Sequence, residues 1–304
     1  MAGATKVLRI AAMGASTIQG CSYCILRGLP WYTSVYGSIL SFQRENPSRR
    51  TDAVVGLALK LLTMGGRIRT LPIPGGKILI PAQNIVGIMI SIYEVFIQKE
   101  YERYRDYLPA RGDTVVDVGA FIGLWTIHAS RKVGERGRVI AFEPNPFVFS
   151  QLEENVSLNG LKNVTLLRSA LGDHVGQVEI YGEAKESSLA SMYRDRVELY
   201  VSEEKIAAMT TEMTTIDILL EGGVKAIDLL KIDAEGAELA ILNGASKSLE
   251  SGSIRRAIVE VHQDRCSNQE VADLMLRCGL AVDHNLNDPD PRTKKGFVFS
   301  SSRR

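Results

Sequence analysis

From Thr114 onward the chain alternates short β-rich runs with helical segments. That pattern calls for a mostly parallel sheet joined by crossover helices, a doubly wound α/β fold. Val115 to Val118 is apolar apart from Asp117, as expected of a strand covered on both faces. A helix follows to about Lys132 and ends at Gly134. Arg138 to Phe142 reads as the second strand. Asn145 and Pro146 then make a cap and first-turn pair for a helix running to Asn159 and stopped by Gly160. Val164 to Leu167 is the third strand, with an additional edge strand at Gln177 to Tyr181. Ile227 to Ile232 and Ala257 to Val261 are the fourth and fifth, with helices over Glu238 to Leu249 and Ser267 to Arg277. Leu280 to Asn285 and Gly296 to Ser301 form a closing hairpin.

Ahead of this core, residues 1–63 read as a helical extension, with Val54, Val55, Ala58, Leu59 and Leu62 at helical spacing. Residues 64–110 read as a hairpin and a helix packing on the catalytic domain. The hairpin spans Arg67 to Pro81 around Pro74-Gly75-Gly76, and Asn84 caps the helix. Ile88, Ile92, Val95 and Phe96 form the helix's apolar face, with Glu100, Glu102 and Arg103 exposed. The main domain then covers residues 111–304. The first 63 residues have no assigned role.

Composition narrows the partners. A net charge of +1, with basic dipeptides scattered as at Arg49-Arg50 and Lys294-Lys295, leaves no stripe to track a phosphate backbone, so nucleic acid is not expected. The uncharged stretch from Ile10 to Leu26 is too diluted by polar residues for a transmembrane helix or a convincing signal peptide. The expectation is a cytoplasmic protein without stable membrane insertion. Cys21 and Cys24 make one C-x-x-C that Cys266 and Cys278 do not repeat, so reduced thiols are preferred to a zinc site or a redox pair.

In an open parallel sheet the ligand lies beyond the carboxyl ends of the strands, where strand order reverses. The first strand ends in Asp117-Val118-Gly119-Ala120-Phe121-Ile122-Gly123. This is Asp-x-Gly-x-x-x-Gly rather than the Gly-x-Gly-x-x-Gly of dinucleotide enzymes. A carboxylate before the glycines repels a pyrophosphate and suits a ligand bearing an ammonium and a sulfonium. Glu143 follows the second strand, where an acid can accept hydrogen bonds from both ribose hydroxyls.

These strings resemble the FkbM family of methyltransferases. The likeness is carried by Val116 to Gly123, by Gly137-Arg138-Val139-Ile140-Ala141-Phe142-Glu143-Pro144-Asn145-Pro146 and by Ala170-Leu171-Gly172-Asp173. Leu230-Lys231-Ile232-Asp233-Ala234-Glu235-Gly236-Ala237-Glu238-Leu239 is the most family-specific string, and Tyr93-Glu94-Val95-Phe96 looks like the usual lead-in. The resemblance implies a Rossmann-like class I methyltransferase fold with S-adenosylmethionine as cofactor. It places Asp117, Gly119, Ala120 and Gly123 around the methionine part. Glu143 and Pro144 fall at the ribose, Ala170 and Leu171 beside the adenine, and Asp233 at the same pocket.

Methyl transfer to an alcohol needs an in-line approach and removal of the acceptor proton. Asp233, Glu235, Glu260 and His262 are the polar groups expected at the reacting end, with Asp233, His262 and Glu235 as candidate catalytic residues. Glu235 reads equally well as a helix-capping carboxylate. A divalent metal on Asp233, Glu260 and His262 is weighed and not adopted. The polar stretch Gly182 to Ala208, with Ser187, Ser188, Ser191, Tyr193 and Arg194, reads as a lid. The expected reaction is O-methylation of a small molecule, sugar or glycan. A non-catalytic S-adenosylmethionine-binding module is the alternative, and a nicotinamide-dependent dehydrogenase a more distant one. Oligomeric state is not legible.

Overall fold

The computed structural model describes residues 70–79, 85–183, 190–288 and 294–302. The helix expected around Asp52 to Leu62, the Cys21–Cys24 pair, the Asn84 cap, Ser187 and Ser188 lie outside the described residues. The chain divides into two compact units, Met1–Glu100 and Tyr101–Arg304.

In the first unit, β1 (Thr70–Ile73) and β2 (Gly76–Leu79) pair antiparallel across the two-residue turn Pro74-Gly75. Leu71, Ile73 and Ile78 are buried. Helix α1 (Ile85–Ile92) runs on into a π-helical turn, Tyr93–Gln98, that ends at Lys99 in the left-handed conformation. Ile88, Ile92 and Phe96 are buried as the periodicity requires. Glu100, expected in solvent, is buried instead. The wider turn and the left-handed Lys99 break the helical register on which that expectation rested.

The second unit holds the main sheet. Strands β3 (Thr114–Val118), β4 (Arg138–Phe142) and β5 (Val164–Leu167) alternate with helices α2 (Leu124–Val133) and α3 (Pro146–Leu158). Asn145 caps α3 by accepting from the Phe147 and Val148 amides, with Pro146 at a position whose missing N–H has no partner to lose. Next come β6 (Ala170–Leu171), β7 (Gly176–Glu183), α4 (Arg194–Glu198), β8 (Ile206–Thr214) and α5 (Ile216–Glu221). Then follow β9 (Leu229–Ile232), α6 (Glu238–Asn243), α7 (Ser246–Glu250), β10 (Arg256–His262), α8 (Asn268–Arg277), β11 (Leu280–Asn287) and β12 (Lys295–Ser302).

The sheet order is β11-β12-β10-β9-β3-β4-β5, parallel from β10 to β5, with β12 inserted antiparallel between β10 and β11. Strand order therefore reverses between β3 and β9, the position at which such sheets open a crevice. One face buries Val116, Val118, Leu230, Ile232, Val259 and Val261 against Ile241, Leu242, Val271 and Met275. The other packs Ala141 against Ala120, Leu152 and Val156.

Three expectations need correction. The strand at Gln177 to Tyr181 does not extend the main sheet; β7 pairs antiparallel with β8, and β6 adds to β8, in a separate three-stranded sheet. β8 was hidden by small and polar residues, Ala207, Ala208, Thr210, Thr211 and Glu212, that carry little hydrophobic alternation. The helix expected from Glu238 to Leu249 is two helices, because Asp217 on α5 accepts from the Lys247 and Ser248 amides and caps the second as a separate element. The supposed polar insertion is also structured where described. Ser191 bridges back to Tyr181, and α4 follows.

Candidate active site

The loop after β3 and the loop after β9 are in direct contact at the strand-order reversal. A β-carbon on Gly119 would fall 1.8 Å from the carbonyl oxygen of Asp233, so only glycine permits this approach. Gly123, at φ 92, opens α2 and would clash with Leu152 if it carried a side chain. Each loop also holds a non-glycine residue in the left-handed region, Phe121 at φ 51 and Glu235 at φ 50. Such residues cluster at functional sites because surrounding contacts must hold them there. Here the Phe121 amide donates to Glu143 at 2.9 Å, and the Glu235 carbonyl accepts from Ser191 Oγ at 2.7 Å.

Asp117 is completely buried. Its Oδ2 accepts from Thr126 Oγ1 at 2.6 Å, and its Oδ1 lies 3.1 Å from Lys231 Nζ. The ammonium that the sequence reading supplied from a ligand is therefore present as the protein's own Lys231. That lysine, on β9 and 3% exposed, also donates to the carbonyls of Val118 and Gly119 at 3.3 and 3.0 Å. Burial opposes its charge, but Asp117 and Asp233 outweigh burial and raise its pKa. Lys231 thus fastens the glycine loop to the β9 end.

Glu143, at the end of β4, accepts one backbone N–H on each oxygen, Phe121 on Oε2 and Asn145 on Oε1, both at 2.9 Å. A carboxylate has about four acceptor sites, so two remain for hydroxyl donors. Burial pushes its pKa from 4.5 up to about 7, with the two backbone hydrogen bonds and Lys231 pulling the other way. Ala120 is buried on this loop, and Pro144 is half-buried beside Glu143. Ala170 and Leu171 sit in β6, buried and paired with Met213 and Thr214.

The β9–β10 end is a network of side chains. Asp233, whose side chain is 25% exposed, receives the Tyr101 hydroxyl on Oδ2 at 2.8 Å, with Lys231 Nζ 3.7 Å away. Burial works against its ionisation, yet Lys231, His262 and Lys295 outweigh it and hold the carboxyl below the usual range. Tyr101 also lies 2.7 Å from Glu260 Oε2, and Lys295 meets the other oxygen of Glu260 at 2.7 Å. Glu235 is held by the Arg196 guanidinium, at 3.1 and 2.5 Å to one oxygen, and Arg196 also binds Asp264. His262 is the last residue of β10 and 1% exposed. Its Nδ1 is 2.7 Å from Glu238, while Nε2 makes no hydrogen bond and faces Glu235, Asp233 and Glu260 at 3.5, 3.9 and 3.9 Å. Burial lowers its pKa, but Glu235, Glu238 and Glu260 overcome that and push it up to about 9.

Asp233, Glu235 and His262 are thus brought together, and Asp117, Gly119, Gly123 and Glu143 line the neighbouring strand ends. Sequence reasoning missed Tyr101, Arg196 and Lys295, and gave no role to Lys231 or Glu238. A signal for Tyr101 existed in the three-residue spacing of Tyr101, Tyr104 and Tyr107. Tyr104 stacks on His284 of β11, and Tyr107 donates to Asp283 at 2.5 Å, so this ladder lies along the closing hairpin. Cys266 and Cys278 are buried free thiols, and burial raises the first to about 12. Among the described residues no helix is long and apolar enough to cross a membrane.

Comparison with known proteins bears on this arrangement. The Methyltransferase FkbM domain model matches residues 117–280, more than half of the chain. Methyltransferase 1 of Beauveria bassiana is 29% identical over 224 residues, covering 69% of this chain and 88% of that protein. The 31-O-demethyl-FK506 methyltransferase FkbM of Streptomyces tacrolimicus is 28% identical, over 72% of this chain and 91% of its own. The hexuronic acid methyltransferase AglP of Haloferax volcanii is 33% identical, over 49% and 56%. The chain belongs to the FkbM family of methyltransferases, whose methyl donor is S-adenosylmethionine.

Proposed function

We propose that the protein transfers the methyl group to a hydroxyl oxygen of a small molecule or a sugar. The observation that carries this reading is the contact between the glycine loop and Asp233, a partly exposed carboxylate kept ionised by Lys231 and His262. The loop side is suited to the cofactor. Gly119, Ala120 and Gly123 give it a tight backbone turn for the methionine end, with Asp117 fixing that turn through Lys231. Glu143 keeps two acceptor sites for the ribose hydroxyls, with Pro144 beside it, and Ala170 and Leu171 lie on the adenine side.

In the reaction the acceptor oxygen attacks the sulfonium methyl. The new O–CH3 bond forms as the S–CH3 bond breaks, leaving the thioether S-adenosylhomocysteine, and the hydroxyl proton passes to Asp233. A positioned base contributes about 10²–10⁴-fold to such a step. His262 is fully enclosed and has one nitrogen committed to Glu238, so it orients the network rather than touching the acceptor. Glu235 shapes the same rim. Two relatives support an oxygen acceptor through their names, one a hexuronic acid methyltransferase and the other acting on 31-O-demethyl-FK506.

The test is incubation with isotopically labelled S-adenosylmethionine and a panel of uronic acids, sugars and polyol lactones, with the product located by mass spectrometry and NMR. The methyl label is expected on oxygen. Methyl found on nitrogen or carbon, or S-adenosylhomocysteine binding without turnover on any hydroxyl acceptor, would overturn the proposal.

A further inference from the structure

Nε2 of His262 points into a gap bounded by three carboxylates and has no hydrogen-bond partner. Its other nitrogen meets Glu238 Oε1 at 2.7 Å, and Glu238 is anchored by accepting from the Gly236 amide at 2.9 Å. A carboxylate that grips one imidazole nitrogen fixes the ring and aims the other at a cation, the arrangement common behind metal-binding histidines. Three carboxylates around Nε2 call for a positive charge in the gap, either the proton that His262 carries when the gap is empty or a metal ion that takes its place.

Resting on the methyltransferase reading above, we propose that this gap is a divalent-cation site formed by Asp233, Glu235 and His262, with its open positions toward the methyl acceptor. One donor atom from each of the three lies within 4.8 Å of the others. His262 Nε2 is 3.5 Å from Glu235 and 3.9 Å from Asp233. Donors about 2.1 Å from a common ion are separated by roughly 3–3.5 Å, so small side-chain movements complete the triangle. The ligands come from rigid positions, the last residue of β10 and the tight turn after β9. Both carboxylates are partly exposed, at 25% and 20%, whereas the histidine is enclosed, so the ion's free face is on the solvent side. One imidazole with two carboxylates suits Mn²⁺ or Zn²⁺. Such an ion would take a hydroxyl or carboxylate oxygen of the acceptor as a ligand and orient it. Arg196 shares the Glu235 carboxylate and competes for it, which favours moderate over very tight binding.

The experiment uses the full chain stripped with chelator. It is titrated with Mn²⁺ followed by electron paramagnetic resonance, and separately with Zn²⁺ followed by calorimetry, with S-adenosylhomocysteine binding measured on the same samples. One ion per chain is expected. Asp233→Asn and His262→Gln should each weaken uptake at least tenfold, and the surface variant Glu203→Gln should leave it unchanged. A stripped protein that binds S-adenosylhomocysteine but takes up neither ion overturns the cation site and leaves the methyltransferase reading intact. Failure to bind S-adenosylhomocysteine would instead sink that reading. Uptake unaffected by Asp233→Asn and His262→Gln, in variants that melt like the parent, places the ion elsewhere and also defeats the proposal.

Discussion

Glu143 and Asp233 stand at the ends of neighbouring parts of one sheet, yet their surroundings drive them in opposite directions. Burial raises Glu143 to about 7, and its partners are backbone amides that relieve this only in part. Burial pushes Asp233 the same way, but cationic side chains around it reverse the sign. Depth alone does not decide ionisation; the nearest full charges do. In the proposed assignment the cofactor edge is built mainly from backbone and the reacting edge from side chains, and the two should fail differently when altered.

The sharpest way to break that division is at Asp233. If the reacting edge carries the chemistry, Asp233→Asn lowers turnover by about two orders of magnitude or more while changing cofactor affinity much less. Single-turnover methyl transfer at saturating cofactor reads the first quantity and calorimetry with S-adenosylhomocysteine the second. A loss confined to affinity would make Asp233 part of the cofactor edge and dissolve the contrast.

The complementary change is Glu143→Ala. Removing an acceptor of hydroxyl hydrogen bonds should weaken cofactor binding by ~1.5–3 kcal/mol, roughly 10- to 150-fold, with turnover at saturating cofactor little changed. The variant also frees the Phe121 amide, which supports a left-handed residue, so its melting temperature must be compared with the parent. Unchanged affinity in a folded variant removes Glu143 from the cofactor site.

Tyr101→Phe probes the link between edge and scaffold. One phenolic proton serves two carboxylates, Asp233 at 2.8 Å and Glu260 at 2.7 Å, so losing it disturbs both. Turnover should fall about tenfold, in keeping with a hydrogen bond to a charged group. The pH–rate profile should shift as well, because Asp233 loses a donor that favours its ionised form. A purely structural tyrosine would lower stability and leave that profile in place.

How much of this was readable beforehand follows the same division. Backbone-built features have local signatures. Gly119 and Gly123 and the Asn145-Pro146 cap are dictated by residues within a few positions of one another, and each is found where the sequence puts it. The parallel strands were legible because burial on both faces leaves unbroken apolar runs such as Val139 to Phe142. The side-chain network was not, because its partners are far apart in sequence. Tyr101 meets Asp233 across 132 positions, and Arg196 meets Asp264 across 68. Lys231 stood inside the quoted motif, but nothing local says that its ammonium turns toward Asp117 rather than solvent. β8 escaped because its alternating faces carry threonine and alanine where a larger core would have demanded branched aliphatics.

The smallest expected effect concerns pH, and it isolates Glu143 without a mutation. In the proposed site ribose hydroxyls donate to the ionised carboxylate, so cofactor should bind the deprotonated form better. In the free protein that form is lost as pH falls through about 7. Affinity should therefore drop roughly threefold between pH 7.5 and 6.5, from the fraction ionised at each pH, and by nearly tenfold per unit below that. Stability carries the opposite sign. A carboxyl raised from 4.5 to about 7 on folding holds an extra proton across that window, so its share of stability is present at low pH and is lost as pH rises through 7. Cofactor should thus give its largest thermal shift above pH 7, where the empty site is least stable. Calorimetry and melting curves from pH 6 to 8.5, with Glu143→Gln as the non-titrating control, measure both slopes. A parent protein whose cofactor affinity is as flat with pH as the Gln variant's would mean that Glu143 is already ionised in the empty site, and that the cofactor edge resembles the reacting edge after all.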